Sequence, residues 1–410
     1  MSKKNTVSIE RRDDFGRNSS KINEEKQMHK TPKLRFNKFT EFWKFTNLED
    51  AYIKGRIGWK NLTRDEYTKE GPYFISGKDI NDGKIMWDTC EHITIERYEE
   101  SPEIKLQNND IILTQRGTLG NSAFIENLTK KATINANMIL LRANKEIYPL
   151  YLYYIIKSDY FKKFIHKITS VGCISSLFQK DLKKFEFPYP SYEEQKEISY
   201  FLSEIDIKID LMEQKNKKIK YDVKNYLLSN LFVENKEEDI LSWDEKDLDN
   251  ISSISTGNCD LKDNIEDGKY PFFVRSEKVE RIDSYAYDGE AILIPGDGRV
   301  GEIFHYINGK FNYHQRVYKI SDFKDVIGKY VYYYLQQYFL RHVHKYSVKA
   351  TVDSLRLPII KEMKIRYPSI KKQEKIVNIL SCVDKKIELS NKQISLMKNY
   401  KKGLLQKMFI

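Results

Sequence analysis

The six residues Gly296-Asp297-Gly298-Arg299-Val300-Gly301 satisfy the pattern G-x-G-x-x-G, which in dinucleotide-binding folds lets backbone amides approach a pyrophosphate. That chemistry needs a helix to open there, with its N-terminus facing the phosphates. Instead, Glu302-Ile303-Phe304-His305-Tyr306-Ile307 and then Asn308-Gly309 read as a strand and a hairpin turn before Phe311 to Tyr313. The motif is therefore read as a glycine-rich surface turn. The sequence holds no G-x-x-x-x-G-K-[ST] phosphate loop and no Asn-Pro-Pro-aromatic or Asp-Pro-Pro-aromatic tetrapeptide of the amino-methyltransferases. Its carboxylates show no compelling spacing for a metal-dependent nuclease. Cys90, Cys173, Cys259 and Cys382 form no C-x-x-C pair, and His342 and His344 have no Cys or carboxylate set beside them at ligand spacing. The chain reads as non-catalytic and free of metal.

Charge points to a class of partner. Seventy Lys plus Arg against 59 Asp plus Glu give a formal +11, which favours polyanions because each cation that meets a phosphate releases condensed counterions. The 410 residues suggest two or three domains. The apolar runs, such as Val331 to Leu335, are too short to cross a bilayer, and the polar start from Ser2 to Asn5 is no secretory signal. The expectation is a cytoplasmic protein.

The elements that must carry these residues occur twice. Tyr189-Pro190-Ser191-Tyr192-Glu193-Glu194-Gln195 returns 178 positions later as Tyr367-Pro368-Ser369-Ile370-Lys371-Lys372-Gln373. In the same register Ile198 matches Ile376, Leu202 matches Leu380, Asp206 matches Asp384 and Leu211 matches Leu389. With a one-residue slip, Leu227-Leu228 and Phe232 match Leu404-Leu405 and Phe409. Upstream the agreement is looser: Asp110-Ile111-Ile112-Leu113 answers Glu290-Ala291-Ile292-Leu293, and Ile174-Ser175-Ser176-Leu177 answers Val352-Asp353-Ser354-Leu355. Each copy is thus a variable globular part followed by a well-matched tail.

The tails read as helices. Ser191 can cap the first, with Glu194 completing a capping box. Ile198, Leu202, Ile205, Ile209, Met212, Ile219 and Val223 then form a coiled-coil seam carrying polar Asn216. Ile376, Leu380, Val383, Ile387, Ile394, Met397, Leu404 and Met408 form the second seam. A single seam cannot bury itself, so the two helices are expected to pair with each other, with dimerisation the other use of the seam. The globular parts read as α+β: short β-rich runs such as Ile111 to Thr114 and Ala291 to Pro295, then helical stretches over Pro149 to Ile168 and Val326 to Tyr346. The expected order is a disordered extension over 1–32, a first globular domain over 33–190, a helix over 191–235, a second domain over 236–368 and a second helix over 369–410.

On these motifs the chain resembles the specificity subunits of type I restriction–modification enzymes from about Leu34 to Phe409, with two target recognition domains each followed by a helix opening Pro-Ser-x-x-x-Gln. Gly71-Pro72-Tyr73-Phe74-Ile75-Ser76-Gly77-Lys78-Asp79-Ile80, Asp288-Gly289-Glu290-Ala291-Ile292-Leu293 and the closing Leu404-Leu405-Gln406-Lys407-Met408-Phe409 also fit the family. The extension over 1–32 departs from it. The resemblance implies a bipartite double-stranded DNA site with one domain per half, and the two helices pairing as an antiparallel coiled coil that acts as spacer. It also implies two methylation (modification) subunits docked on the helices and motor-nuclease (restriction) subunits in the full complex. S-adenosylmethionine, ATP and Mg²⁺ would then belong to those partners and not to this chain.

Readout of bases draws on Arg or Lys for guanine and Asn or Gln for adenine, with further cations on phosphates. In the first domain the candidates are Lys54, Arg56, Trp59 and Lys60 of a basic, glycine-rich loop, then Lys78, Gln115, Arg116 and Thr118. In the second they are Arg275, Arg299, His314, Gln315, Arg316 and Lys349. His314 also fits a satisfied structural histidine. The last helix carries ten Lys against Glu374, Asp384 and Glu388, which suits a solvated face or a track for the DNA backbone.

Two other readings compete. One is a coiled-coil scaffold whose domains bind proteins and no DNA, which failure to bind any duplex would favour. The other is the specificity module of a fused nuclease–methyltransferase without its catalytic half, which co-purifying partners would distinguish.

Overall fold

The computed structural model describes residues 32–53, 62–169, 176–233, 243–346 and 354–409. Two compact units divide it: residues 1–211 with 394–410, and residues 212–393. The division falls inside both long helices, so each unit holds the start of one repeat's helix and the end of the other's.

In the first unit, β1 (Lys44–Asn47) is followed by β2 (Tyr67–Ile75), β3 (Ile111–Thr114), β4 (Ser122–Phe124), β5 (Ala132–Ile134) and β6 (Met138–Ala143). Helices α1 (Pro149–Lys157) and α2 (Asp159–Thr169) come next, then β7 (Glu186–Tyr189) and α3, which runs without a break from Tyr192 to Leu231. The apolar run Ile111-Ile112-Leu113 makes β3 a strand buried on both faces, between β6 and β4. β2 pairs in parallel with β5, and β1 pairs antiparallel with β7 beside the start of α3.

The second unit repeats the plan. β8 (Asp244–Asp247), β9 (Ser253–Thr256), β10 (Tyr270–Phe273), β11 (Val279–Ile282), β12 (Tyr287–Pro295), β13 (His305–Tyr313) and β14 (Val317–Ser321) precede α4 (Gly328–His344), β15 (Lys364–Tyr367) and α5 (Ile370–Met408). Six strands form one sheet in the order β9-β14-β12-β13-β10-β11, and β8 pairs with β15 as β1 does with β7. Asn308-Gly309 is not a hairpin turn. It lies inside the nine-residue β13, where Asn308 faces Glu290 and Gly309 faces Gly289 of β12. A two-residue turn requires its flanking residues to pair with each other; here both flanks pair with β12, and the reversal is made by residues 296–304 instead.

The helix ends complete each unit's core. In the first, Ile198, Leu202, Ile205 and Ile209 of α3 share one buried cluster with Leu404, Leu405 and Met408 of α5 and with Phe409 just beyond it. In the second, Ile376 and Leu380 of α5 share a cluster with Leu228 and Phe232 at the end of α3. The side chains that join the two helices are the same in both units. Asp206 takes Lys401 and the Tyr154 hydroxyl (2.9 Å), while Asp384 takes Lys224 (2.7 Å) and the Tyr333 hydroxyl (2.8 Å). Within each unit the helices therefore pair antiparallel.

The one-residue slip has a structural form. Residues Ile219–Val223 of α3 make a single π-turn, which absorbs one extra residue in a helix. On its two sides, Asn216 donates to Asn391 (2.6 Å) and Lys224 meets Asp384; eight steps on α3 thus oppose seven on α5. Val223, expected on the seam, is exposed, because the π-turn rotates the helix and hands the seam to Leu227, Leu228 and Leu231. Glu194 is likewise not a capping acid. It is buried and accepts from Arg35 Nε and Nη2 (2.7 Å each) and from Trp43 Nε1 (3.3 Å).

Candidate nucleic-acid interface

The hairpin loops after β3 and β12 are one structure built twice. Gln115 N donates to Asn137 O (2.7 Å) and Gln115 O accepts from Leu177 N (2.8 Å); Gly296 N donates to Arg316 O (2.8 Å) and Gly296 O accepts from Leu355 N (2.7 Å). Arg116 then bridges Ser176 where Asp297 bridges Ser354. Gly117 and Gly120 have φ of 81° and 77°, and Gly298 and Gly301 have 80° and 78°. Such angles suit a residue without Cβ, so the last two glycines of the G-x-G-x-x-G motif serve a turn. No helix opens after Gly301; β13 starts at His305.

These shared bonds place Arg116 at the position of Asp297, Thr118 at that of Arg299 and Asn137 at that of Arg316. The frames are alike and the projecting side chains differ. Arg116 and Thr118 are exposed, with Arg116 Nε donating to Ser176 Oγ (3.1 Å). Gln115 is buried. Lys78 is exposed and paired with Glu91 at 3.0 Å, which raises its pKa; an exposed pair of this kind holds by only about 0–1 kcal/mol, so a phosphate can replace the carboxylate.

In the second unit Arg275 Nη1 and Arg316 Nη1 converge on Asp297 Oδ2, at 3.1 and 2.9 Å. Burial opposes ionisation of Asp297, but the two guanidinium groups outweigh it and hold the carboxyl below its usual range. Arg299 is flanked by Glu302 (2.8 Å) and Glu277 (3.1 Å), so its charge is already matched. His314 is buried: its Nδ1 accepts from Arg316 N (2.9 Å), which leaves the proton on Nε2, facing Asp260 (3.3 Å). Gln315 is exposed beside Asp260. Arg275, Asp297, Gly298 and His314 line one open cleft of about 440 Å³. Lys54, Arg56, Trp59, Lys60 and Lys349 lie outside the described residues. Sequence reasoning passed over Asp297, because an acid inside a glycine turn carries no signal until its two arginine partners are brought beside it.

Among the described residues no group of His, Cys, Asp and Glu is placed to hold a metal, and no helix is long and apolar enough to cross a membrane.

Comparison with known proteins agrees with this architecture. The family model for the type I restriction modification DNA specificity domain matches twice, over residues 41–221 and 241–399. A type I restriction enzyme specificity subunit (MjaVIII) of Methanocaldococcus jannaschii is 24% identical over 408 residues, covering 89% of this chain and 91% of that one. The EcoDI specificity subunit of Escherichia coli is 27% identical over 169 residues, 40% of this chain and only 37% of its own length. The crystal structure of the type I restriction–modification S subunit from M. genitalium shares the fold, with a TM-score of 0.57, 19% identity and coverage of 93% of this chain and 99% of that one. Two tandem copies of the domain, spread over most of its length, show that the chain belongs to the type I restriction–modification specificity family, the non-catalytic components that recognise the DNA target.

Proposed function

We propose that each unit reads one half of a bipartite duplex site, while the paired helices set the interval between the halves and dock two methylation subunits. Motor-nuclease subunits complete the assembly, and S-adenosylmethionine, ATP and Mg²⁺ act in the partners. The observation that carries this reading is the doubled loop: one hydrogen-bonded frame offering Arg116 and Thr118 in one unit and Asp297 and Arg299 in the other. A frame kept constant under changing side chains is what reading two different half-sites requires.

The test is Arg116→Ala in the chain bound to its neighbouring methylation subunit. Its base preferences should relax within one half-site only, by roughly 10-fold at the affected pair. A uniform change across both half-sites would remove the assignment of one unit to each half.

Lys385, Lys386 and Lys392 of α5 are exposed, and we place them along the DNA backbone. Reversing all three to Glu should lower the slope of log K against log salt by about 0.9 per lost phosphate contact and leave the preferred sequence intact. Filter binding between ~50 and ~200 mM salt reads the slope; an unchanged slope means that these lysines meet solvent only.

A further inference from the structure

We infer that Asp297 and its two arginines form a G·C-reading site, in which Asp297 positions Arg275 and Arg316 and the half-site of the second unit contains at least one G·C pair. The inference rests on the reading of this chain as a two-part DNA reader and adds the base chemistry of one part.

Each guanidinium spends only its Nη1 on Asp297, and among the described residues the Nε–Nη2 edge of each side chain takes no carboxylate. That edge is a two-pronged donor, the shape that meets O6 and N7 of guanine. Both side chains are open to solvent, Arg275 at 45% and Arg316 at 63%. Asp297 itself is only 17% exposed. It takes both arginines on Oδ2, leaving Oδ1 as an acceptor without a hydrogen bond among the described residues. Two adjacent donors on one guanidinium complement the guanine edge of G·C, which offers N7 and O6 as acceptors in the major groove. An A·T pair offers acceptor, donor, acceptor, so one of the two donors meets the adenine N6 amino group, its like.

The carboxylate also argues against a phosphate as the partner. A phosphate drawn to these guanidinium groups would approach Asp297, anion against anion, in a partly desolvated place where repulsion is screened least. A neutral base edge meets no such repulsion. Positioning adds to the effect: two long side chains tied to one fixed carboxylate lose less rotamer freedom on binding than free ones. The cleft beside them gives the base edge room, since Gly298 carries no side chain and, among the described residues, nothing beyond its own chain neighbours comes within 4 Å of the place a Cβ would take. The first unit lacks the arrangement, because Arg116 and Asn137 stand where Asp297 and Arg316 stand here. The two half-sites are therefore read by different chemistry.

The experiment uses the full chain with its methylation subunit and the duplex that this complex itself selects. In each block, every G·C pair is exchanged for A·T and the change in affinity is measured for wild type, Arg275→Ala, Arg316→Ala and Asp297→Asn. At one G·C pair of one block the wild-type preference should be about 10- to 100-fold, and each variant should bring it toward unity with the other block unaltered. Asp297→Asn should bind unrelated duplex at least as well as wild type, since it removes a negative charge while losing the preference; a merely damaged fold does not do this. Hydrogen exchange on β12 and β14 checks folding of each variant. Blocks made only of A·T pairs overturn the inference, as do variants that weaken all sequences equally with a salt slope lowered by about one. If wild type selects no sequence at all, the underlying reading falls, and the inference with it.

Discussion

Phe409→Ala should destabilise the first unit by about 3–5 kcal/mol and leave the second unit's own stability nearly untouched. By sequence Phe409 closes the second repeat, yet its ring is buried against Tyr151 of α1, with centroids 5.5 Å apart and edge to face, in the cluster that holds Leu202 and Ile205. Removing it leaves a cavity in a core whose other members are fixed by β3 and β6. The mirror substitution, Phe232→Ala, should act on the second unit in the same way. Phe232 closes the first repeat, but its ring meets Tyr330 (5.3 Å) and Tyr334 (5.6 Å) of α4. Native-state hydrogen exchange distinguishes the units directly. Phe409→Ala should lower protection in β3 and β6 and spare β12 and β14, and Phe232→Ala should do the reverse. Loss of protection in the unit that matches sequence order would contradict this exchange of helix ends.

The second large effect concerns the glutamine of the repeated Pro-Ser-x-x-x-Gln opening. Gln195 and Gln373 are both fully buried. Gln195 Oε1 accepts from Tyr148 N (2.8 Å), while its Nε2 donates to Pro190 O (3.0 Å) and Glu146 O (3.1 Å). Gln373 Oε1 accepts from Ile327 N (2.9 Å) and its Nε2 donates to Pro368 O (2.8 Å). Each side chain thus fastens the start of a long helix to the turn that opens α1 or α4. Replacing either by Leu keeps much of the volume but strands two or three backbone groups away from water, at about 1–3 kcal/mol each. Gln195→Leu and Gln373→Leu should each cost roughly 3–5 kcal/mol. The exposed Gln406→Leu should stay within about 0.5 kcal/mol. Urea unfolding gives the comparison, and a shift no larger than that of Gln406→Leu would refute the role.

Local pattern carried the part of the fold that could be read in advance. The 178-position repeat, the buried run Ile111 to Leu113 and the helical seams, Val223 apart, are local patterns that the fold obeys. Where partners are distant the pattern is silent or misleading. An apolar seam states that it must be covered, not by which helix end, so Leu404 and Phe409 could not be assigned to the first unit's core. Asn308-Gly309 carries turn chemistry, but two facing glycines in an antiparallel pair satisfy the same residues inside a strand. Glu194 has capping spacing, yet Arg35 and Trp43, more than 150 residues away, bind it more strongly than a helix end does. The site shows the same limit. Counting cations selected Arg275 and Arg316 and ignored Asp297, the acid that holds them together. Gln115 and His314 have the right donors for base readout, but the loop frame turns both inward.

The most direct test of the central claim is selection from a random duplex library by this chain together with its neighbouring methylation subunit. Two short defined blocks separated by a fixed, unspecified interval are the predicted result, one block for each unit. A single contiguous block, or no enrichment from a chain that hydrogen exchange shows to be folded, would contradict it and favour a scaffold that binds proteins alone.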